Sequence, residues 1–223
     1  MPAEVIVFDM DGVLVDVTES YRETIRRTVR RFTGRDVGND DIQALKNAGG
    51  WNNDWALSHK IISDFGVEVA YDDVIACFQS IFLGENGLIR RERWLPRAGL
   101  LESLQERYRL AIFTGRLRQE VSETLGRFAP HILFDPIIGH EDVENGKPAP
   151  DGLARIAAFT GAPLRYVGDS VDDARSARAA GVPFIGIASR ENPRHAELAG
   201  LLRLEGAVAV LEDVNQLEGA LAP

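Results

Sequence analysis

Val5-Ile-Val-Phe8 is a run of four apolar residues closed by Asp9 and, one residue further on, Asp11. A strand with one wet face alternates apolar and polar residues, whereas an unbroken short run is what a strand buried on both faces requires. Strands of that kind belong to parallel sheets with helices on either side. Leu110–Phe113, Leu164–Val167 and Phe184–Ile187 repeat the pattern, Asp135–Gly139 adds a further strand, and Val208–Leu211 is a candidate edge strand. Helical spacing fills the intervals: Leu100–Gln105, then Val121, Leu125 and Phe128, then Leu153–Phe159, Ala174–Ala180, Arg194–Leu202, and a last helix from Val214. Strands alternating with helices imply an α/β fold with a parallel sheet and right-handed crossovers.

One segment breaks that alternation. Tyr21, Ile25, Val29 and Phe32 form one helical stripe, which Gly34 ends, and helical patterns continue through Ile42 and Leu45, Trp55–Phe65 and Val74–Phe82 without a strand between them. Residues 16–92 therefore read as a compact all-helical unit set into an α/β core of residues 1–15 and 93–223. Arg22, Arg26, Arg27, Arg30 and Arg31 flank the first stripe and are expected to form a solvated face, one or two of them being placed to draw an anion toward a cleft. The loop Lys46-Asn-Ala-Gly-Gly-Trp-Asn-Asn-Asp54 brings two glycines and several amide and carboxylate groups together. It suits contact with a ligand, and equally a capped helix connection with Trp51 and Trp55 packed one turn apart.

The net charge of −9 argues against nucleic acid or an anionic membrane as the main partner, since both are bound through clustered cations. No run approaches the roughly 18 apolar residues of a membrane span, and no cleavable apolar leader is evident. Cys77 is the only cysteine, so no intrachain disulfide can form and a cytoplasmic location is expected. Its helical surroundings suggest that it fills the core.

The polar residues that follow the buried strands share one position in such a fold. Asp9 and Asp11, Thr114 and Gly115, and Asp169 and Asp173 each lie just beyond a strand, so a parallel sheet gathers them along one rim, and Lys147 on the long loop after the third strand can reach it. Taken singly, Asp9 and Asp11 fit either a solvated acidic turn or a pair of carboxylates neutralised by a hard divalent cation. Four carboxylates, a lysine and a hydroxyl gathered around a cation make a phosphoryl-transfer set, because that reaction is accelerated mainly by positioning and charge neutralisation.

Read in order, D-M-D-G-V-L-V-D, F-T-G-R, G-K-P-A-P-D and G-D-S-V-D-D resemble the four motifs of the haloacid dehalogenase superfamily of aspartate-nucleophile hydrolases. The resemblance implies a Rossmann-like core with a small helical cap domain inserted after the first strand. It implies a magnesium-dependent phosphatase acting on a small phosphorylated metabolite as a monomer or homodimer. Matched position by position, it makes Asp9 the nucleophile and Asp11 the acid and base, with Thr114 and the Gly115 amide holding phosphoryl oxygens. Lys147 becomes a point charge between nucleophile and phosphate. Mg2+ is assigned to Asp9, Asp169 and the backbone carbonyl of Asp11, with Asp173 either joining through water or pairing with Lys147. Arg116 departs from the family's usual asparagine and is expected either to touch substrate or to bridge to the cap. Lys46, Trp51, Asn52 and Asn53 are expected to face the leaving group. Alternatives within the family are a sugar phosphomutase, weakened by Tyr21 where mutases carry histidine, and a phosphonate hydrolase, which needs Lys46 with a depressed pKa. A catalytically idle metal-binding interaction protein on the same fold is the alternative of another class.

Overall fold

The structure, a computed structural model, describes residues 4–221. The chain runs β1 (Val5–Phe8), β2 (Val15–Asp16), α1 (Tyr21–Thr33), α2 (Asn39–Ala48), α3 (Asp54–Asp64), α4 (Tyr71–Leu83) and β3 (Arg93–Trp94). It continues through α5 (Leu100–Arg107), β4 (Arg109–Phe113), α6 (Arg118–Phe128), β5 (Phe134–Ile138), α7 (Asp151–Thr160) and β6 (Leu164–Gly168). The last elements are α8 (Val171–Ala180), β7 (Phe184–Ile187), α9 (His195–Leu204), β8 (Ala209–Leu211) and α10 (Leu217–Ala220).

Six strands form one parallel sheet in the order β5-β4-β1-β6-β7-β8. All four residues of β1 are buried, as an unbroken apolar run demands. Ile6 and Phe8 join a core formed with α5, α6 and α10, while Val5 and Val7 join one formed with α7, α8 and α9. That is the period-two split of a strand covered on both faces. Asp135 and Pro136 lie in β5 at the edge of the sheet, where a residue without an N–H is tolerated. Because β1 lies between β4 and β6 and the chain winds outward in both directions from it, a crevice opens beyond the carboxyl end of β1, where such sheets take ligands.

The four helices α1–α4 pack a separate core, in which Ile25, Ile42, Leu57, Phe78 and Phe82 are each fully buried. The chain enters this helical unit through β2 and returns through β3. The two short strands pair antiparallel, Val15 with Trp94 and Asp16 with Arg93, and the second pair is also an ion pair.

Three sequence expectations need adjusting. Helix α8 begins at Val171 rather than Ala174, because the Ser170 hydroxyl accepts the Asp173 amide and the Asp173 carboxylate accepts the Ser170 amide, a capping box that starts the helix early. The segment from Val214 opens as a short 3-10 turn, and its α-helix covers only Leu217–Ala220. Cys77 is half-buried instead of filling the core, since α4 turns Val74, Phe78 and Phe82 inward and leaves residue 77 at the margin.

Phe78 is fully buried in the core of the helical unit, so Phe78→Ala is expected to lower the unfolding free energy by about 3–5 kcal/mol. Leu133, which is 69% exposed, supplies the control. Its alanine variant is expected to stay within about 0.5 kcal/mol of wild type in the same urea titration.

Candidate active site

The carboxyl end of β1 delivers Asp9, which is 5% exposed, directly into the crevice. Its amide donates to the Val167 carbonyl at 2.8 Å, so the parallel pairing with β6 carries one residue past the strand and fixes where the side chain starts. Lys147 reaches in from the loop after β5 and places its Nζ 2.8 Å from Asp9 Oδ1 and 2.7 Å from Asp173 Oδ1. The ammonium also lies over the rings of Phe113 and Tyr166, at 5.0 and 5.5 Å from their centroids. Asp173 is saturated with donors: the Tyr166 hydroxyl at 2.6 Å, the Ser170 hydroxyl at 2.6 Å and the Ser170 amide at 3.0 Å, besides Lys147.

Burial would raise the pKa of all three carboxyls here, and their partners decide the outcome. For Asp173, burial is outweighed by Lys147 and by the hydroxyl donors, so its pKa falls below the ordinary carboxylate value. For Asp9, burial, with Asp173 and Asp11 adding to it, outweighs Lys147 and pushes the pKa up to about 7. Asp169 is raised well above its ordinary value, by burial first and then by Asp173 and Asp9. Among the described residues no cation lies within ion-pair distance of Asp169. Oxygens of Asp9, Asp169 and Asp173 lie within 4.8 Å of one another. An oxygen-only cluster with excess buried negative charge has the donor chemistry of a hard divalent cation site. Gly12 makes the close approach feasible: its φ is +70°, and a Cβ there would sit 1.9 Å from Asp169 Oδ2.

Asp11 belongs to a second network. Its Oδ1 accepts Arg116 Nε at 2.7 Å and lies 2.5 Å from Arg116 Nη2, which is also 2.7 Å from Glu92 Oε1. Arg116 Nη1 donates to the Thr124 hydroxyl, which in turn donates to Glu92 Oε2. The guanidinium stacks on Tyr21, whose hydroxyl donates to Glu120 at 2.7 Å. With 1% of its surface exposed and every nitrogen engaged by protein, Arg116 is committed to holding Asp11, and through Glu92 and Tyr21 it ties the core to the helical unit. Burial disfavours the charge on Arg116, but Asp11, Tyr21 and Glu92 more than offset that and raise its pKa.

The crevice and the helical unit enclose a cavity of about 70 Å³. Asp9, Asp11, Gly115, Arg116 and Asp169 line its core side, and Lys46, Trp51, Asn52 and Asn53 line the opposite wall. Thr114, Lys147 and Asp173 are buried behind that lining. Gly115 and the Lys46–Asp54 loop meet closely, a Cβ on Gly115 falling 2.7 Å from Asn52 Nδ2. Lys46 is bound to Asp54 at 2.6 Å, and although burial alone would lower its pKa, Asp54 raises it instead. Two further contacts hold the unit over the crevice: the Gly50 amide to Asp172 Oδ1 at 2.7 Å, and Arg194 to Asp40 at 2.8 Å.

Sequence reasoning missed Glu92, just before β3, and Glu120 and Thr124, one turn apart on α6, because no spacing in the chain joins the two segments. It read the arginines of α1 chiefly as a solvated face, with one or two of them able to draw an anion toward a cleft, and did not single out Arg22, which lines the cavity together with Gln43 and Asn47. Arg22 sits in the first turn of α1, next to β2, while its sibling arginines lie further along the helix, away from the rim.

Comparison with known proteins agrees with this architecture. Over 199 residues the chain is 34% identical to an imidazoleglycerol-phosphate dehydratase of Phytophthora nicotianae, a match that covers 83% of this chain and 43% of that protein. The chain thus spans less than half the length of that relative. A phosphoglycolate phosphatase of Escherichia coli K12 is 46% identical over 57 residues, which is 24% of this chain and 23% of the relative. A crystal structure assigned as a haloacid dehalogenase-like hydrolase from Bacteroides fragilis superposes with a TM-score of 0.79 at 25% identity, covering 96% of this chain and 98% of that one. The sequence profile of the haloacid dehalogenase-like hydrolases matches residues 6–187, and with the six-stranded parallel sheet and the acidic crevice it establishes that the chain belongs to that family.

Proposed function

We propose that the site hydrolyses phosphate monoesters of a compact metabolite through an aspartyl-phosphate intermediate. The observation that carries this reading is Lys147 held between Asp9 and Asp173 beside Asp169, which has no ion-pair partner among the described residues. Three carboxylates around one lysine leave the site net negative, so a divalent cation at Asp169 is what it lacks, and with Lys147 that ion would give a phosphoryl group two positive charges to meet. Asp9 and Asp169 have carboxylate oxygens free for a divalent ion, with the backbone carbonyl of Asp11 as a third donor, and magnesium suits that oxygen set. Asp173, saturated by Lys147, Tyr166 and Ser170, supports the site by fixing Lys147. When bound, the ion supplies positive charge to the transferring phosphoryl oxygens.

In the first step a carboxylate oxygen of Asp9 attacks phosphorus while the bond to the leaving oxygen breaks and Asp11 gives that oxygen its proton. In the second step Asp11 takes a proton from water, the water oxygen attacks phosphorus, and the bond to Asp9 breaks to release inorganic phosphate and restore the carboxylate. Lys147 keeps Asp9 in place and offsets its charge against the incoming anion. Arg116 orients Asp11 so that its free oxygen faces the cavity, which makes it a positioning residue rather than a contact to substrate. The contacts made by Asp172 and Arg194 hold the helical unit over the crevice and reduce the access of bulk water to the reacting groups. The short phosphoglycolate phosphatase match favours the same reading. Lys46, paired with Asp54 and raised in pKa, does not suit the imine chemistry of a phosphonate hydrolase.

Release of inorganic phosphate from a panel of small phosphate esters with Mg2+ tests the reading. Asp9→Asn is expected to lose about 10⁴-fold or more in kcat, and Asp11→Asn about 10²- to 10⁴-fold. Turnover retained by Asp9→Asn would remove the proposed nucleophile.

Magnesium binding has a readout that does not depend on turnover. At a hundredfold excess over Kd the ion is expected to stabilise the wild type by about 2.7 kcal/mol, seen as an upward shift in thermal midpoint. Asp169→Asn is expected to abolish the shift, and an unchanged shift would place the ion elsewhere.

A further inference from the structure

We propose that Arg22 and Asn47 form a receptor for a carboxylate carried on the leaving group of the substrate. The inference deepens the phosphatase reading and rests on it only for where the phosphoryl group lies. Arg22 Nη2 donates to Gln43 Oε1, and a guanidinium has no acceptor, so this contact fixes which end of the Gln43 amide is oxygen. Gln43 Nε2 must then donate, and it does so to Asn47 Oδ1 at 2.7 Å. The same logic turns Asn47 Nδ2 away from Gln43. The relay therefore ends in two donors with nothing to donate to: Arg22 Nη1 and Asn47 Nδ2 are both buried and unpartnered.

Buried donors left unsatisfied are destabilising, so a relay that leaves two of them on residues lining one cavity points to an acceptor-only ligand group. Arg22 also has no carboxylate within ion-pair distance among the described residues, since neighbouring Glu23 is taken by Arg26 and Arg27. A hydroxyl on the ligand would satisfy one donor but give Arg22 no ion-pair partner. A carboxylate accepts from both donors and supplies the opposite charge. With the phosphoryl group placed at Asp9 by the proposed reaction, the far end of the ligand meets the wall of the helical unit, where Arg22 and Asn47 lie. The substrate class that follows is the phosphate ester of a small hydroxy acid.

Calorimetric titration with two phosphonates of similar size tests this without reading turnover. Phosphonoacetate carries the carboxylate and ethylphosphonate does not, and neither has an ester bond to cleave. In the presence of Mg2+ the wild type is expected to bind phosphonoacetate about ten- to a hundredfold more tightly than ethylphosphonate. Arg22→Gln is expected to reduce that ratio to within about threefold, and Asn47→Ala to reduce it by a smaller factor. Arg22→Lys, which keeps the charge, is expected to retain part of the preference. Equal affinity in the wild type, binding of neither phosphonate, or a preference that survives Arg22→Gln would overturn the proposal. Absence of phosphate release from every ester would count against the phosphatase reading instead, and the two failures stay separate.

Discussion

Lys147 sits between Asp9 and Asp173, three buried ionisable groups in contact, and the arrangement of the core follows from the need to hold them there. Taking such charges out of water is costly, and their attraction offsets the cost only when the geometry is good and the remaining oxygens are hydrogen-bonded. Asp173 meets the second condition through Tyr166 and Ser170. Asp9 meets it only in part, which is why its pKa is pushed up to about 7 while that of Asp173 falls. The imbalance is where the chemistry lies: a carboxylate already neutralised by protein would have little left to offer a metal or a phosphorus atom.

The parallel sheet supplies the rigidity that this requires. Asp9 follows β1, Asp169 follows β6, Asp173 lies in the first turn of α8 just beyond β6, and Lys147 arrives on the loop after β5, so the set collects at the carboxyl ends of the sheet strands. Neighbouring strands are hydrogen-bonded in fixed register, so these side chains cannot drift independently. Arg116 extends the set across the mouth of the crevice. It holds Asp11 on one side and Glu92 on the other, and it stacks on Tyr21. The acid and base of the proposed reaction is thereby tied to the helical unit, so its orientation depends on that unit sitting over the crevice.

Much of this was legible in the chain, and the limits have physical causes. The buried strands and the polar residues just after them are local patterns, so Asp9, Lys147, Asp169 and Asp173 could be read as one group before any coordinates. The partners of Arg116 could not, because Glu92, Thr124 and Tyr21 are brought to it by packing from separate elements, and no spacing in the sequence joins them. Arg22 was visible only as one of five arginines on a helix; what separates it from the others is its nearness to the rim. Ser170 and Asp173 carried a readable capping signal, yet their place after a strand disguised them as loop. Cys77 shows the error of one helical position, since a residue beside an apolar stripe need not belong to it.

The central claim is that Asp9 becomes covalently phosphorylated in turnover. Borohydride reduces an aspartyl phosphate to homoserine, so protein quenched during hydrolysis of a phosphate ester, reduced and mapped by peptide mass spectrometry tests that claim most directly. The account predicts homoserine at residue 9 and at no other aspartate, and none when the ester is omitted. Phosphate release at the full rate with Asp9 unmodified, or homoserine formed from another carboxylate, would contradict it.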